Sequence, residues 1–318
     1  MTLSNDSKAV IALTTRLGSS QRPSLTAQRW HRLVGALRDS GHSPSDIFDS
    51  SLDLRQVPGV KRETADTVER LLEDAAAATL EAEELGRRGV WVTTTADDEY
   101  PPALADRLGD NAPPVIFGVG DPGLLSTPGI GIVGSREIGE TGADVAKTLA
   151  TEAVSLGRSV VSGGARGIDQ LAMNAAYQSG GSVIGVLADS LLSRIRSPEV
   201  LEALDEGRTC LLTQQAPASG FSPAAAMGRN KLIYALSELT IVVASDRESG
   251  GTWAGATEAL KMGNGQVVVW RGDGEGPGNS ELEKLGAIPI KAVDELQTIV
   301  DQPTEVQAEQ LSLIDGER

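Results

Sequence analysis

Four stretches of the chain carry residue types suited to holding an anion. The first, GIGIVGSREIGETG, places Gly134, Ser135 and Arg136 just after an apolar run. The second, VVSGGARGIDQLA, ends a similar run at Ser162 and continues through Gly163, Gly164, Arg166 and Gly167. The third, ASDRESGGTWAGATEAL, offers Ser249, Gly250, Gly251 and Thr252 at a predicted helix start. Glycines let a ligand approach the backbone, the free N–H groups of a helix start favour negative charge, and arginine adds bidentate hydrogen bonds. Any one such loop serves equally well as a tight strand-to-helix turn, because short glycine motifs recur by chance. Three of them at equivalent strand ends, two with arginine, favour an anion such as phosphate. The fourth stretch, FSPAAAMGRNKLIYALSELTIVVAS, puts Arg229, Asn230 and Lys231 at the start of a predicted helix. Such a cluster is either a phosphate clamp or a solvated face. Asp169 follows Gly167 and Ile168 in the first turn of its helix, where a carboxylate braces the loop through free N–H groups rather than acting as a general base. Glu258, inside the third helix, reads as a surface or packing residue.

These loops need strands to hold them. Apolar runs recur at 129–133, 159–162, 183–188, 210–214, 239–245 and 267–270, separated by amphipathic patterns such as TGADVAKTLATEAVSLG, with Val145, Leu149 and Ala153 on one face. Near-continuous apolar strands alternating with such helices predict an α/β fold, a doubly wound and mostly parallel Rossmann-like sheet covered on both faces. Ligands bind such sheets beyond the carboxyl ends of the strands. Neither G-x-G-x-x-G in register after the first strand nor G-x-x-x-x-G-K-[ST] occurs, so dinucleotide and P-loop sites are excluded; the glycines at 129 and 131 lie inside a strand as packing features. Residues 1–85 read as a small helical domain. In it, TAQRWHRLVGALRDSG spaces Trp30, Leu33, Val34 and Leu37 helically, and a Pro-Gly turn at 58–59 precedes a helix with Ala65, Val68 and Leu72. Residues 86–300 form the sheet domain, with 86–127 as an irregular connector, and 301–318 a polar tail.

Composition narrows the chemistry. Only two histidines, His31 and His42, and one cysteine, Cys210, occur in 318 residues, which disfavours a Ser-His-Asp triad, a thiolate cluster or a disulfide. Cys210 reads as a buried strand thiol. No metal and no cofactor is expected. The absence of a long apolar run and of a leader pattern predicts a cytoplasmic chain without a membrane partner. A net charge of −16 runs against bulk nucleic-acid binding, yet a local cationic patch can still hold phosphates in a salt-dependent way.

Taken in order, IVGSRE, VVSGGARGID, GRNKLIYALS and SGGTWAGATEAL resemble the DprA/Smf family of DNA-processing proteins. DDEYPPALADRL with PPVIFGVGD resembles the segment before that family's extended Rossmann-like domain, and GNSELEKLGAIPI the segment after its sheet. The helices around VPGVKRETADTV are similar to its small SAM-like or helix-hairpin-helix-like domain, so the likeness spans roughly residues 28 to 300. The resemblance implies a non-catalytic, dimeric protein that binds single-stranded DNA and works with a RecA-like recombinase in natural transformation. Carried over by position, it assigns phosphate binding to Gly134, Ser135 and Arg136, to Ser162 through Gly167, to Arg229, Asn230 and Lys231, and to Ser249 through Thr252. The chain departs from the pattern in several places. FSPAAAMG is neutral where relatives are basic, with Gly228 and Lys231 in place of arginines. PGVK has Lys61 where hairpin motifs favour glycine, and no winged-helix pattern follows residue 300. Aromatics are 3% of the chain, with Phe221 and Trp253 the nearest candidates for stacking. Two other functions stand beside the first. One is a DprA-like regulatory, antitoxin or phage-defence protein that restrains a partner and senses nucleic acid or a nucleotide. The other is a Lonely-guy-type nucleotide hydrolase, disfavoured because SGGTWAGATE does not match P-G-G-x-G-T-x-x-E.

Overall fold

Apolar runs punctuated by glycine and polar residues build a single sheet with helices on both faces. The computed structural model describes residues 3–18, 23–126 and 129–301. Its strands are β1 (Trp91–Thr94), β2 (Val115–Gly120), β3 (Gly129–Val133), β4 (Ser159–Ser162), β5 (Val183–Val186), β6 (Thr209–Thr213), β7 (Leu239–Val242), β8 (Gln266–Trp270) and β9 (Ile288–Ile290). The helices of the N-terminal part are α1 (Asn5–Thr14), α2 (Ala27–Asp39), α3 (Arg62–Leu72) and α4 (Ala75–Arg87). Those of the sheet region are α5 (Pro102–Leu108), α6 (Glu140–Ser155), α7 (Ile168–Gln178), α8 (Leu191–Arg194), α9 (Pro198–Asp205), α10 (Pro223–Leu236), α11 (Gly250–Met262), α12 (Asn279–Lys284) and α13 (Glu295–Asp301).

The strand order is β1-β2-β6-β5-β4-β3-β7-β8-β9. From β6 to β9 every neighbouring pair is parallel. The chain winds outward from β3 through β4 and β5 to β6, then returns by α10 to place β7 on the other side of β3. That reversal makes the ends of β3 and β7 the topological switch point, where neighbouring crossovers splay apart and leave a crevice. Alternation along the strands divides the core. Ile130, Ile132 and Val268 face α6 and α7, whose Ala146, Leu149, Ala153, Ile168 and Ala172 are buried there. Val133, Val267 and Val269 face the other way, toward Leu232, Ile233 and Leu236 of α10 and Ala256 of α11. This is the doubly wound α/β sheet the apolar pattern predicts. The glycines inside β3 are packing features: a Cβ on Gly131 would come within 2.5 Å of the Thr240 hydroxyl on β7.

Four segments differ from the sequence expectation. The connector 86–127 is not irregular: β1 pairs antiparallel with β2, and β2 antiparallel with β6, so both runs extend the sheet. Their β-branched and aromatic residues cover an edge that β6 would otherwise leave open. The strands predicted to reach 188 and 245 pair only to Val186 and Val242, and their ends turn into loops. The first helix is also unexpected. Ala9, Val10, Ile11 and Leu13 are all fully buried, and the exposed or half-buried Asn5, Asp6 and Lys8 gather at the start of α1, so it gives only a weak amphipathic signal. It forms the centre of a cluster that joins the other N-terminal helices to Val92 on β1, Phe117 on β2 and Leu211 on β6. Fully burying Ile11 or Leu13 contributes about 1.5–3 kcal/mol each. Beyond Asp301, which closes α13, the polar tail lies outside the described residues.

Cys210 sits inside β6 with no exposure, and burial pushes its thiol up to about 12. Thiolate is the reactive form, so the folded protein should leave a disulfide-exchange reagent unconsumed at pH 8, while the denatured chain should react at its single cysteine. Rapid native labelling would contradict this placement.

Candidate nucleic-acid interface

The switch point holds a cleft of about 840 Å³, bounded by the loops after β3, β4 and β7 and by the flank of α10. The loops are fastened to one another. Ser135 N–H donates to Ala244 O at 2.9 Å, which ties the β3 loop to the end of β7. Ile168 N–H donates to Ser135 O at 3.3 Å, which ties the start of α7 to the same loop. Gly167 makes that approach possible: its φ of +92° lies in the left-handed region, and a Cβ there would stand 2.8 Å from Arg136 Cα. Of the two helices entering from these loops, α11 has an open start, whereas at the start of α7 Ile168 N–H is taken by Ser135 O and Gln170 N–H by Ala165 O. Gly167 begins α7 and Ser249 begins α11, neither with a side-chain cap. The first N–H groups of α11, at Gly250 and Gly251, therefore face the cleft without an intramolecular acceptor. A negative group placed there meets donors and the positive end of a helix dipole.

Arg136 and Arg166 stand at the cleft rim and are exposed. Arg136 lies over the Phe221 ring, 5.8 Å from its centroid, which gives the rim a flat cation-aromatic surface. Arg166 is 3.6 Å from Glu137, with both side chains largely in solvent, so this pair is easily exchanged for a phosphate. Glu137 and Asp246 also line the rim, and sequence inspection overlooked both although they adjoin the glycine motifs. Their negative charge opposes an anion at the rim and partly offsets that of the two arginines.

Beneath the rim, Asp169 is buried and pairs with Arg229, whose Nη1 donates to Oδ2 at 3.1 Å. Burial pushes the Asp169 carboxyl above its ordinary value; Arg229 and the backbone N–H groups of Ala165 and Gly134 pull the other way. Gly163 accommodates this arrangement, since a Cβ there would overlap the Arg229 guanidinium. Tyr234 lies against the same floor, and its buried hydroxyl and Arg229 Nε have no hydrogen-bond partner among the described residues.

The structure thus gathers Gly134, Ser135, Arg136, Arg166, Arg229, Asn230, Ser249, Gly250, Gly251 and Thr252 around one cleft. It sorts them differently from the sequence expectation. The Arg-Asn-Lys cluster is not at a helix start: Ser222 caps α10 through Ala225 N–H and Pro223 occupies its first turn, so Arg229 lies a turn and a half inside. There Arg229 is a buried ion-pair partner instead of a free phosphate ligand. Asn230 donates to Gly251 O at 2.9 Å and steadies the start of α11. Lys231 turns away from the cleft to Glu258 at 3.0 Å, which also gives Glu258 its partner. Ser162 spends its hydroxyl on Ile132 O at 2.6 Å, and Gly164 is buried below the surface. Phe221 borders the cleft, whereas Trp253 packs against the core. Among the described residues, no group of three or more His, Cys, Asp or Glu is arranged to hold a metal ion, and no helix is long and apolar enough to cross a membrane.

A doubly wound sheet with glycine-rich, arginine-bearing loops at its switch point defines an open α/β protein with a cleft at the carboxyl ends of its strands. The chain belongs to the DNA recombination-mediator protein A family, whose model matches residues 91–301. It is 35% identical over 211 residues to the DNA processing protein DprA of Bacillus subtilis, a match covering 65% of this chain and 67% of that protein. The fold is similar to that of DNA processing protein A from Streptococcus pneumoniae (TM-score 0.71, 23% identity, 94% of this chain and 98% of that one). It is also similar to DNA processing protein A from Helicobacter pylori (TM-score 0.55, 26% identity, 66% and 95%), whose structure describes a single-stranded DNA binding mode.

Proposed function

We propose that this chain binds single-stranded DNA without cutting it, drawing the sugar-phosphate backbone across the switch-point cleft. The observation that carries this is the combination of two exposed arginines with the open start of α11 around one cleft. Arg136, Arg166 and the N–H groups of Gly250 and Gly251 contact successive phosphates, while Phe221 stacks on a base; neither contact selects sequence. Asp169, locked to Arg229, braces the floor and takes no part in proton transfer. Family membership and the binding mode described for the Helicobacter pylori protein support the same function. In this proposal the chain comprises a helical domain, 1–85, and a sheet domain, 86–300, and acts as a homodimer that passes bound DNA to a RecA-like recombinase. The net charge of −16 favours a second function, in which the acidic body docks a partner protein that the cleft regulates.

Titrating a labelled oligonucleotide across salt tests the primary function. The affinity should fall steeply, with a log-log slope of about −0.7 per phosphate contacted. Absence of binding at low salt would overturn it and favour the protein-partner function.

A further inference from the structure

Asn279, the first residue of α12, is fully buried and does not line the cleft. It sits where the sheet comes apart behind the β7 loop. Strands β7 and β8 pair in parallel as far as Val242 and Val269. At the next position, Val243 opposite Trp270, the ladder stops and the Asn279 amide enters. Its Nδ2 donates to Val243 O at 2.9 Å and to Trp270 O at 2.8 Å, and its Oδ1 accepts the Ser245 N–H at 2.9 Å. Two donors and an acceptor on a short stem are what asparagine supplies. Ionised aspartate has no donor, and leucine of similar size has neither kind of group.

This wedge decides where the loop after β7 begins. Ser245 is held a second time from the same side, since Gly278 N–H donates to its carbonyl at 2.8 Å. The two backbones touch: a Cβ on Gly276 would come within 2.4 Å of Ser245 N, and one on Gly278 within 2.3 Å of Asp246 O. The segment bearing Asn279 is braced in turn. Trp270 Nε1 donates to Asp273 O at 2.9 Å, and Arg271 Nε donates to Glu275 at 2.6 Å. Only Asp246, Arg247, Glu248 and Ser249 then separate Ser245 from Gly250 at the start of α11. Within that span Glu248 has a φ of +55°, a left-handed conformation that a side chain disfavours and that persists only where the surroundings fix it. With so short a link, a shift of Ser245 carries the N–H groups of Gly250 and Gly251 with it.

We infer that Asn279 is a positioning residue for DNA binding, acting from inside the fold through Ser245 to aim the N–H groups of Gly250 and Gly251 at a phosphate. This deepens the DNA-binding function proposed above and rests on it. The test compares the wild type with Asn279→Ala and Gly278→Ala in the whole chain, each well below its melting temperature. Gly278→Ala keeps the amide but forces the loop away at Asp246, so it reports the same displacement where loss of the amide prevents folding. A labelled single-stranded oligonucleotide titrated across salt should bind each folded variant roughly tenfold more weakly, as for one lost hydrogen bond to a charged group. The log-log slope should shrink by about 0.7, one phosphate contact. On adding the oligonucleotide, the Gly250 and Gly251 amide resonances should move in the wild type and stay in the variants, while the Arg136 Nε resonance responds in both. A role in stability alone would lower the melting temperature and leave the slope and these resonances as in the wild type. Folded variants with wild-type affinity, slope and glycine shifts overturn the role of Asn279 and leave the cleft standing. A wild type that binds no oligonucleotide at low salt overturns both.

Discussion

Replacing Arg136 and Arg166 together with alanine is expected to lower single-stranded DNA affinity about 100-fold at moderate salt while leaving the melting temperature unchanged. Both guanidinium groups are exposed, and neither holds a core contact. Arg136 rests on Phe221 and Arg166 on Glu137, so removal leaves no buried charge behind. A hydrogen bond to a charged group contributes about 1.5–3 kcal/mol, and each 1.4 kcal/mol is a factor of ten. Two such contacts at the lower end account for the loss. The salt slope should shrink by about 1.4 in the same titration, since each lost single-strand phosphate contact removes about 0.7. The double lysine variant keeps the charge but not the bidentate geometry, and should fall between the two. An alanine double variant that binds as the wild type does would remove the cleft from consideration.

Much of this cleft is legible in the sequence because its walls are backbone. Strands at 129–133 and 159–162 announce themselves as apolar runs, and the glycines that end them mark the turns that face a ligand. A side chain's surroundings are harder to read. Arg229, Asn230 and Lys231 look like one basic cluster, but three successive positions on a helix point in three directions. Arg229 faces Asp169, Asn230 faces Gly251 and Lys231 faces Glu258. Ser222-Pro223 is the local signal that moves the helix start upstream and turns Arg229 inward. The edge strands failed for another reason: β1 and β2 flank a segment rich in proline and turn residues, and only the pairing of β2 with β6, and of β1 with β2, identifies them as sheet. Helix α1 failed because its apolar residues run unbroken from Ala9 to Leu13, which hides the periodicity that marks a helix.

The second large effect is on stability and comes from Arg229. Arg229→Ala is expected to destabilise the fold by about 3–5 kcal/mol, the range for breaking a buried ion pair by removing one partner. Asp169 would keep its burial and lose the cation that opposes it. The sign of the pH dependence follows. Burial already raises the folded carboxyl above its unfolded value, and without Arg229 it rises further. A group so shifted stabilises the fold below the unfolded pKa and loses that contribution as pH rises through the folded one. The Arg229→Ala deficit should therefore be smallest in mild acid and grow toward neutral pH. Asp169→Asn in the same chain removes the stranded charge and should recover much of the loss at neutral pH, which a double-mutant cycle by denaturant unfolding would measure. A deficit independent of pH, with no recovery in the double variant, would mean that Arg229 acts through packing over Gly163 alone. DNA affinity separates the two roles further. In the recovered double variant the floor is neutral and Arg136 and Arg166 are untouched, so binding should return with the fold. If it did not, Arg229 would be a direct ligand of the phosphates above it.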